Sequence, residues 1–408
     1  MSMRRCDMPR RRLRPKHMDH LRSIWRTRRP APGAQNLGHG WRLPMGLLRT
    51  LFALSVVLDH SPFNDGNMLV GGRLAVQLFY VISGFLISYI LTTNKAYDST
   101  ARFYENRLLR LFPTYFAVAV VALALNVVAN PEFLDVYRRS PNSADLFLVL
   151  ANLFIFGQDW LMFFGIKGGE LTLTGSYANS DVPLYQGLLI PQAWTLGVEL
   201  SFYLIAPFIL RSMRCVVALF LASLALRAVL LHTGVAQSDP WSYRFFPLEL
   251  ALFLAGALSH RLLLPIWQKL SERFHYLPEL ATGLFVVYAL FHFSVTINHN
   301  LRDALALAAF TGILPLTFIY QARHRLDKKI GQLSYPIYIS HSVALLLVHQ
   351  ATSWMGLTNA LLISTLNVLL SLVLAVLLWT MIDSRVDKVR ERVKSGAPSG
   401  APARALRA

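Results

Sequence analysis

Apolar runs of membrane-spanning length recur along almost the whole chain, and no other feature restricts the fold as much. Eleven of them lie at about 44–62, 73–93, 113–129, 144–165, 191–210, 214–232, 244–260, 278–296, 303–321, 335–353 and 358–383. A helix needs about 20 such residues to cross the hydrocarbon core. In lipid every backbone N–H and C=O must find its partner within the protein, so spans of this kind are helices. The expected fold class is all-α, a polytopic membrane helix bundle. Composition supports this, with 54% hydrophobic and 15% charged residues, where soluble domains carry about 25% charge.

The net charge of +18 suggests a nucleic-acid binder, but the excess sits at the ends. Residues 1–43 carry twelve Lys/Arg against two Asp, and residues 384–408 carry seven against two acidic residues. Basic segments beside spans are positive-inside signals, drawn to the anionic cytoplasmic leaflet. No folded nucleic-acid motif accompanies the Arg-rich N-terminus, so no nucleic-acid partner is expected. Residues 1–43 read as a disordered basic cytoplasmic extension, 44–384 as the membrane domain and 385–408 as a disordered basic cytoplasmic tail. The extension is too long and too basic for a signal-peptide n-region, and no A-x-A-like site follows the first run. Cys6 and Cys215 form no disulfide framework.

Two cytoplasmic ends require an even number of crossings, and eleven runs are odd. The run 144–165 is interrupted by Asn152, Gly157, Gln158 and Asp159. It is expected to be re-entrant or broken, which leaves about ten transmembrane helices.

Polar groups inside these runs carry the functional argument, because an ionisable side chain at bilayer depth faces the bundle interior. The first run holds Arg49 and His60. Eleven steps of about 100° bring them to one helix face, about 16 Å apart along the axis. Arg107 and Arg110 share a face just before Pro113 and are either topology signals or a phosphate clamp, where the guanidinium fork outperforms lysine. Glu199 lies mid-run, with Phe202 and Tyr203 at i+3 and i+4, as either a functional carboxylate or a structural ion-pair partner. Ser334, Tyr338 and His341 fall at i, i+4 and i+7, one polar stripe. Arg244 and Glu249 read as a structural pair, and Ser83–Gly84 as a close helix approach. The loop 166–189 is polar and extracytoplasmic.

A ligand with phosphates at one end and a reactive group about 16 Å away would touch both Arg49 and His60. An acyl-coenzyme A has that shape. The arginines would hold its phosphates and the thioester would arrive at His60. The imidazole would then act as general base on an acceptor hydroxyl or carry the acyl group itself. Glu199 would orient the acceptor or the imidazole.

Five segments, in this order, resemble the acyltransferase 3 family of bacterial integral-membrane acyltransferases. They are Arg49-x10-His60, AVQLFYVISGFLI, FYENRLLRLFPTYF, WTLGVELSFYLIAP and LSYPIYISHS, within residues 45–383. The resemblance implies about ten spans in the bacterial inner membrane. It implies transfer of acetyl or a related acyl group from cytoplasmic acyl-CoA to an extracytoplasmic glycan or glycolipid, without a metal. It matches Arg49 and His60 to the family's Arg/His motif, Arg107 and Arg110 to its paired-arginine motif, and Glu199 to the acidic residue of the segment opening at Trp194. Ala75 and Gln77 depart from the family's usual Gly and Asp. No esterase-like domain follows in this sequence, which implies the stand-alone form. The alternatives are a glycan or lipid transporter with a buried polar pathway, and a scaffold whose polar residues join helices.

Overall fold

The computed structural model describes residues 45–63 and 68–395. The extension 1–43 and the end of the tail, 396–408, lie outside the described residues.

Each apolar run supplies a helix. The first gives α1 (Gly46–Asp59) and the second α2 (Gly72–Thr93). α3 (Thr100–Ala129) starts well before the expected span and carries Arg107 and Arg110 inside it. Pro113 costs it one backbone donor without ending it. Close by, the Tyr335 hydroxyl donates to the Leu111 carbonyl at 2.7 Å.

After α4 (Pro131–Arg139), the interrupted run is helical only over α5 (Asn142–Phe154). There Ile155 and Gly157 take positive φ values of 62° and 82°. The chain then turns into β1 (Phe164–Lys167) and β2 (Glu170–Leu173). With β3 (Val182–Pro183) these make a small antiparallel sheet ordered β2-β1-β3. This sheet, within the polar loop, is the one departure from an all-helical chain among the described residues.

The bundle continues with α6 (Trp194–Ile209), α7 (Met213–His232) and α8 (Phe246–Leu258), which passes through a π turn into α9 (Leu264–Arg273). Then come α10 (Leu277–Leu290), α11 (His299–Arg323), α12 (Arg325–Ile330), α13 (Ser334–Trp354) and α14 (Ala360–Leu378). A second π turn joins α14 to α15 (Ser384–Ser395). Residues 385–395 are therefore helix rather than disordered tail. Arg390 is buried and Val386 and Val393 partly so, at i, i+4 and i+7, which gives α15 one packing face against α3.

Among the described residues, six helices are long and apolar enough to cross a membrane: α2, α3, α7, α8 with α9, α11, and α14 with α15. Burial separates them. The most apolar stretch of α2 is 94% buried, whereas that of the equally apolar α7 is 11% buried. An apolar face that large is stable only against lipid, so the molecule is a multi-pass membrane protein.

α1 is short. Its 14 residues rise about 21 Å, less than the hydrocarbon core. It lies instead at the centre, packed by α2, α12, α13 and α14. Asp327 of α12 caps it, its two carboxylate oxygens accepting from Gly46 N at 2.9 Å and Leu47 N at 2.7 Å. A carboxylate at a helix N-terminus satisfies orphan donors and complements the dipole. A Cβ on Gly46 would stand 1.6 Å from the Asp327 carbonyl oxygen, so the close approach requires glycine.

The expected Arg244–Glu249 pair does not form. Arg244 lies in the turn before α8 and Glu249 in the first turn of that helix, so the two side chains face different neighbours. Arg244 pairs with Asp239 at 2.7 Å, and Glu249 with Arg227 at 2.8 Å. Ser83 and Gly84 also divide their work. Gly84 lies against the Phe253 backbone of α8, and Gly256 of α8 against the Val81 backbone of α2, as small residues permit. Ser83 turns the other way, into the cavity described next.

Candidate active site

Around the Arg49 end of α1, α2, α3, α6 and α13 enclose a cavity of about 100 Å³. Arg49, Arg107, Arg110, Glu199, Ser334 and Tyr338 all line it. Six side chains singled out in four separate sequence segments thus meet in one place. Arg110 lies over the Tyr335 ring at 5.5 Å, and Arg107 lies 5.8 Å from the Phe103 ring and 5.7 Å from that of Tyr203. Such faces hold a guanidinium while leaving its N–H fork for a ligand. Glu199 Oε1 accepts from Ser83 Oγ at 2.6 Å and from Tyr203 OH at 2.5 Å. Two hydroxyl donors on one oxygen stabilise a buried carboxylate.

His60 is elsewhere. It caps the far end of α1 and lines a second chamber of about 490 Å³ with Asp59, Asn126, Asn130, Gln186 and His349. Its Nδ1 lies 2.8 Å from the Val56 carbonyl oxygen. A carbonyl only accepts, so Nδ1 carries a proton, and the neutral tautomer that fits this bond has its lone pair on Nε2. That is the form required of a base or a nucleophile. Asn130 Nδ2 donates to Asn126 Oδ1 at 3.0 Å, which leaves the outer halves of both amides for a ligand.

A thin wall separates the two spaces. Tyr338 lines the first cavity, and its ring is 6.0 Å from that of His341. The His341 ring is 5.1 Å from that of His60. His341 is fully buried, and its Nδ1 donates to the Tyr338 carbonyl at 2.7 Å. Neutral His341 therefore presents only a lone pair at Nε2 and is not an oxyanion donor. The hydroxyls of Tyr338 and Thr195, 2.7 Å apart in the same wall, share their two protons between each other and the Gln192 carbonyl, at 3.1 and 3.0 Å.

Two site residues inferred from sequence sit differently from expectation. Glu199 shares its cavity with the arginines, and the chamber of His60 is lined by other residues. Trp194 lines neither space. Its ring lies under the Arg244 guanidinium at 4.2 Å and edge-on to Tyr243 at 5.3 Å. Asp239, the partner of Arg244, accepts from the Tyr177 hydroxyl at 2.8 Å, which ties the sheet-bearing loop to the bundle. Burial, and then the Asp239 bond, push the Tyr177 phenol up to about 12, so it remains a donor at neutral pH.

Sequence reading missed Ser83, which it took for packing alone, and the chamber amides. Asn126 is a single polar residue near the end of an apolar run, where a loop-facing amide needs no explanation. Among the described residues, no group of three or more His, Cys, Asp or Glu is placed to hold a metal ion.

Residues 45–382 match the protein family described as acyltransferase domain. Nodulation protein 10 of Rhizobium leguminosarum bv. viciae is 28% identical over 349 residues, 78% of this chain and 86% of that protein. The peptidoglycan O-acetyltransferase OatA of Listeria monocytogenes is 29% identical over 165 residues, 39% of this chain and 22% of its own length. The O-acetyltransferase OatA of Staphylococcus aureus is 25% identical over 171 residues, 40% of this chain and 24% of its own. No solved structure matches.

Proposed function

Because this chain belongs to the acyltransferase 3 family, we propose that it moves an acyl group, acetyl in the first place, from cytoplasmic acyl-CoA to a hydroxyl of an extracytoplasmic glycan or glycolipid. Relatives named as O-acetyltransferases, one of them for peptidoglycan, support both the acyl group and a glycan acceptor. Ten helices, α1–α3, α6–α8, α10, α11, α13 and α14, serve as the crossings, with α5 as the broken segment and both termini on the cytoplasmic side of the inner membrane.

One observation carries the reading: α1 places a guanidinium cluster at one end and a free imidazole nitrogen at the other, in two chambers divided by Tyr338 and His341. Arg107, Arg110 and Arg49 hold the donor phosphates. The pantetheine arm follows α1 inward past Ser334, and the thioester meets His60 at the wall. There Nε2 removes the proton from the acceptor hydroxyl as it attacks the thioester carbonyl, the C–S bond breaks and the proton passes to the departing CoA thiolate; or Nε2 attacks that carbonyl first, expels the CoA thiolate and passes the acyl group to the hydroxyl, whose proton goes to CoA. A Tyr338 or Thr195 hydroxyl that turns from the Gln192 carbonyl serves as donor to the developing oxyanion. Glu199 belongs to the donor side, where with Ser83 and Tyr203 it fixes the wall opposite the arginines.

Purified protein in liposomes, supplied with acyl-CoA carrying a labelled acyl group and a glycan fragment, tests this. Thioester-dependent labelling of the glycan is the expected result. Movement of the glycan across the bilayer without acylation would instead establish a transporter.

A further inference from the structure

The final described helix brings an arginine to the donor end from a segment that reads, in sequence, as tail. Arg390 of α15 and Arg107 of α3 are each 3% exposed. A buried guanidinium is costly unless paired and hydrogen-bonded. Arg390 Nη1 donates to Asp387 at 2.5 Å, three residues back on its own helix. Its Nη2 reaches Asn106 Oδ1 at 3.4 Å, and Asn106 Nδ2 returns to the Arg390 carbonyl at 3.4 Å. The same Asn106 Oδ1 accepts from Arg107 Nη2 at 2.8 Å. One amide oxygen is thus shared by two arginines from helices at opposite ends of the sequence.

Arg107 has no carboxylate partner among the described residues. Its orientation rests on Asn106 and the flanking rings of Phe103 and Tyr203. The Nε atoms of Arg107 and Arg390 are both buried without a partner. Arg390 is also close enough to Arg110 and Arg107 for both to oppose its charge. The three guanidiniums outnumber the Asp383 and Asp387 carboxylates beside them, and with the hydrogen bonding of Arg107 and Arg390 incomplete they form a site arranged for an anion.

We infer that Arg390 is a positioning residue for the donor: through Asn106 it sets the fork of Arg107 toward the cavity, which makes α15 part of the donor site. This rests on the reading of that cavity as the seat of acyl-CoA phosphates. It follows that Arg390 governs donor affinity and leaves the chemical step at His60 alone. Because Arg390 and Asn106 act through one oxygen, their removal is not additive.

The test uses full-length protein in phosphatidylcholine nanodiscs, with CoA alone as the binding probe and acyl-CoA turnover measured in parallel. Arg390→Ala and Asn106→Ala each weaken CoA binding about 10-fold, and raise the donor KM to match, with kcat and acceptor KM unchanged. The double variant is within about twofold of the weaker single variant, where independent sites would give about 100-fold. Arg390→Lys recovers part of the loss, since it keeps the charge without the fork. Arg385→Ala, exposed on the same helix, removes equal charge and stays within about twofold, which rules out a general field effect. CoA binding by Arg390→Ala equal to wild type, or a multiplicative double variant, overturns the inference. Wild-type protein that binds no CoA overturns the donor reading first, before any variant is compared.

Discussion

At the Arg49 end of α1 the protein closes about 100 Å³ among guanidinium, carboxylate and phenol groups. At the His60 end it opens about 490 Å³ lined by the Asp59 carboxylate, amides, imidazoles and aliphatic side chains. The first space is small and charged, and four of its helices supply groups locked by rings or hydrogen bonds. The second is larger and more open. A site that must recognise one invariant donor gains from preorganised charge. On the proposed reading, a site for an acceptor hydroxyl gains from amide and imidazole donors and acceptors that adapt to it. α1 joins the two because its 14 residues span the distance between them and no more.

The difference makes each end separately breakable. The largest effect belongs to His60. Loss of general-base assistance costs roughly 10²–10⁴-fold, so His60→Ala should lower acyl transfer at least that far while CoA binding, measured separately, stays within about twofold. His341→Ala, which removes a neighbour of His60 and no reacting group, should lose less. Equal losses for the two would show that the wall as a whole, rather than His60, carries the reaction.

Arg107→Ala and Arg110→Ala come next. A lost charge-assisted phosphate contact costs about 1.5–3 kcal/mol, roughly 10- to 150-fold in donor affinity. Transfer at saturating acyl-CoA should stay close to wild type. Normal CoA binding by both variants would reduce these arginines to topology signals.

Asn126→Ala should act only at the other end. One neutral hydrogen bond is worth about 0.5–1.5 kcal/mol, so the acceptor KM should rise by roughly two- to tenfold with the donor KM unchanged. A change in donor KM instead would merge the two sites into one. The smallest effect expected is from deletion of residues 1–40, which should leave transfer at equal membrane abundance within a few-fold. An inactive but well-inserted deletion variant would bring the basic extension into the mechanism.

Much of this site is legible in the sequence because the membrane makes polar residues conspicuous. Arg49, His60, Arg107, Arg110, Glu199, Ser334 and Tyr338 stand out for the cost of placing them in apolar runs. Helical spacing also gives Arg49 and His60 to one face and opposite ends of α1. The sequence does not say which neighbour each side chain meets. Glu199 carries no mark assigning it to the arginines rather than to His60. Trp194 opens a motif, yet stacks on Arg244 because α6 begins there and its first turn faces the loop. Arg390 hides in a polar, basic stretch whose composition reads as tail. Its signal is weak: the spacing Val386, Arg390, Val393 and the Asp387 three residues earlier. Only the packing of α15 on α3 turns that spacing into a buried contact.

The claim that the two ends serve donor and acceptor from opposite faces of one membrane is tested most directly by sidedness. Protein is inserted into sealed liposomes, its orientation is read from protease access to a tag on the C-terminus, and acyl-CoA and glycan are supplied on chosen faces. The account predicts transfer when acyl-CoA is on the face bearing the C-terminus and the glycan on the other, and predicts that the reversed arrangement is silent. Transfer only when both substrates share a face would contradict it.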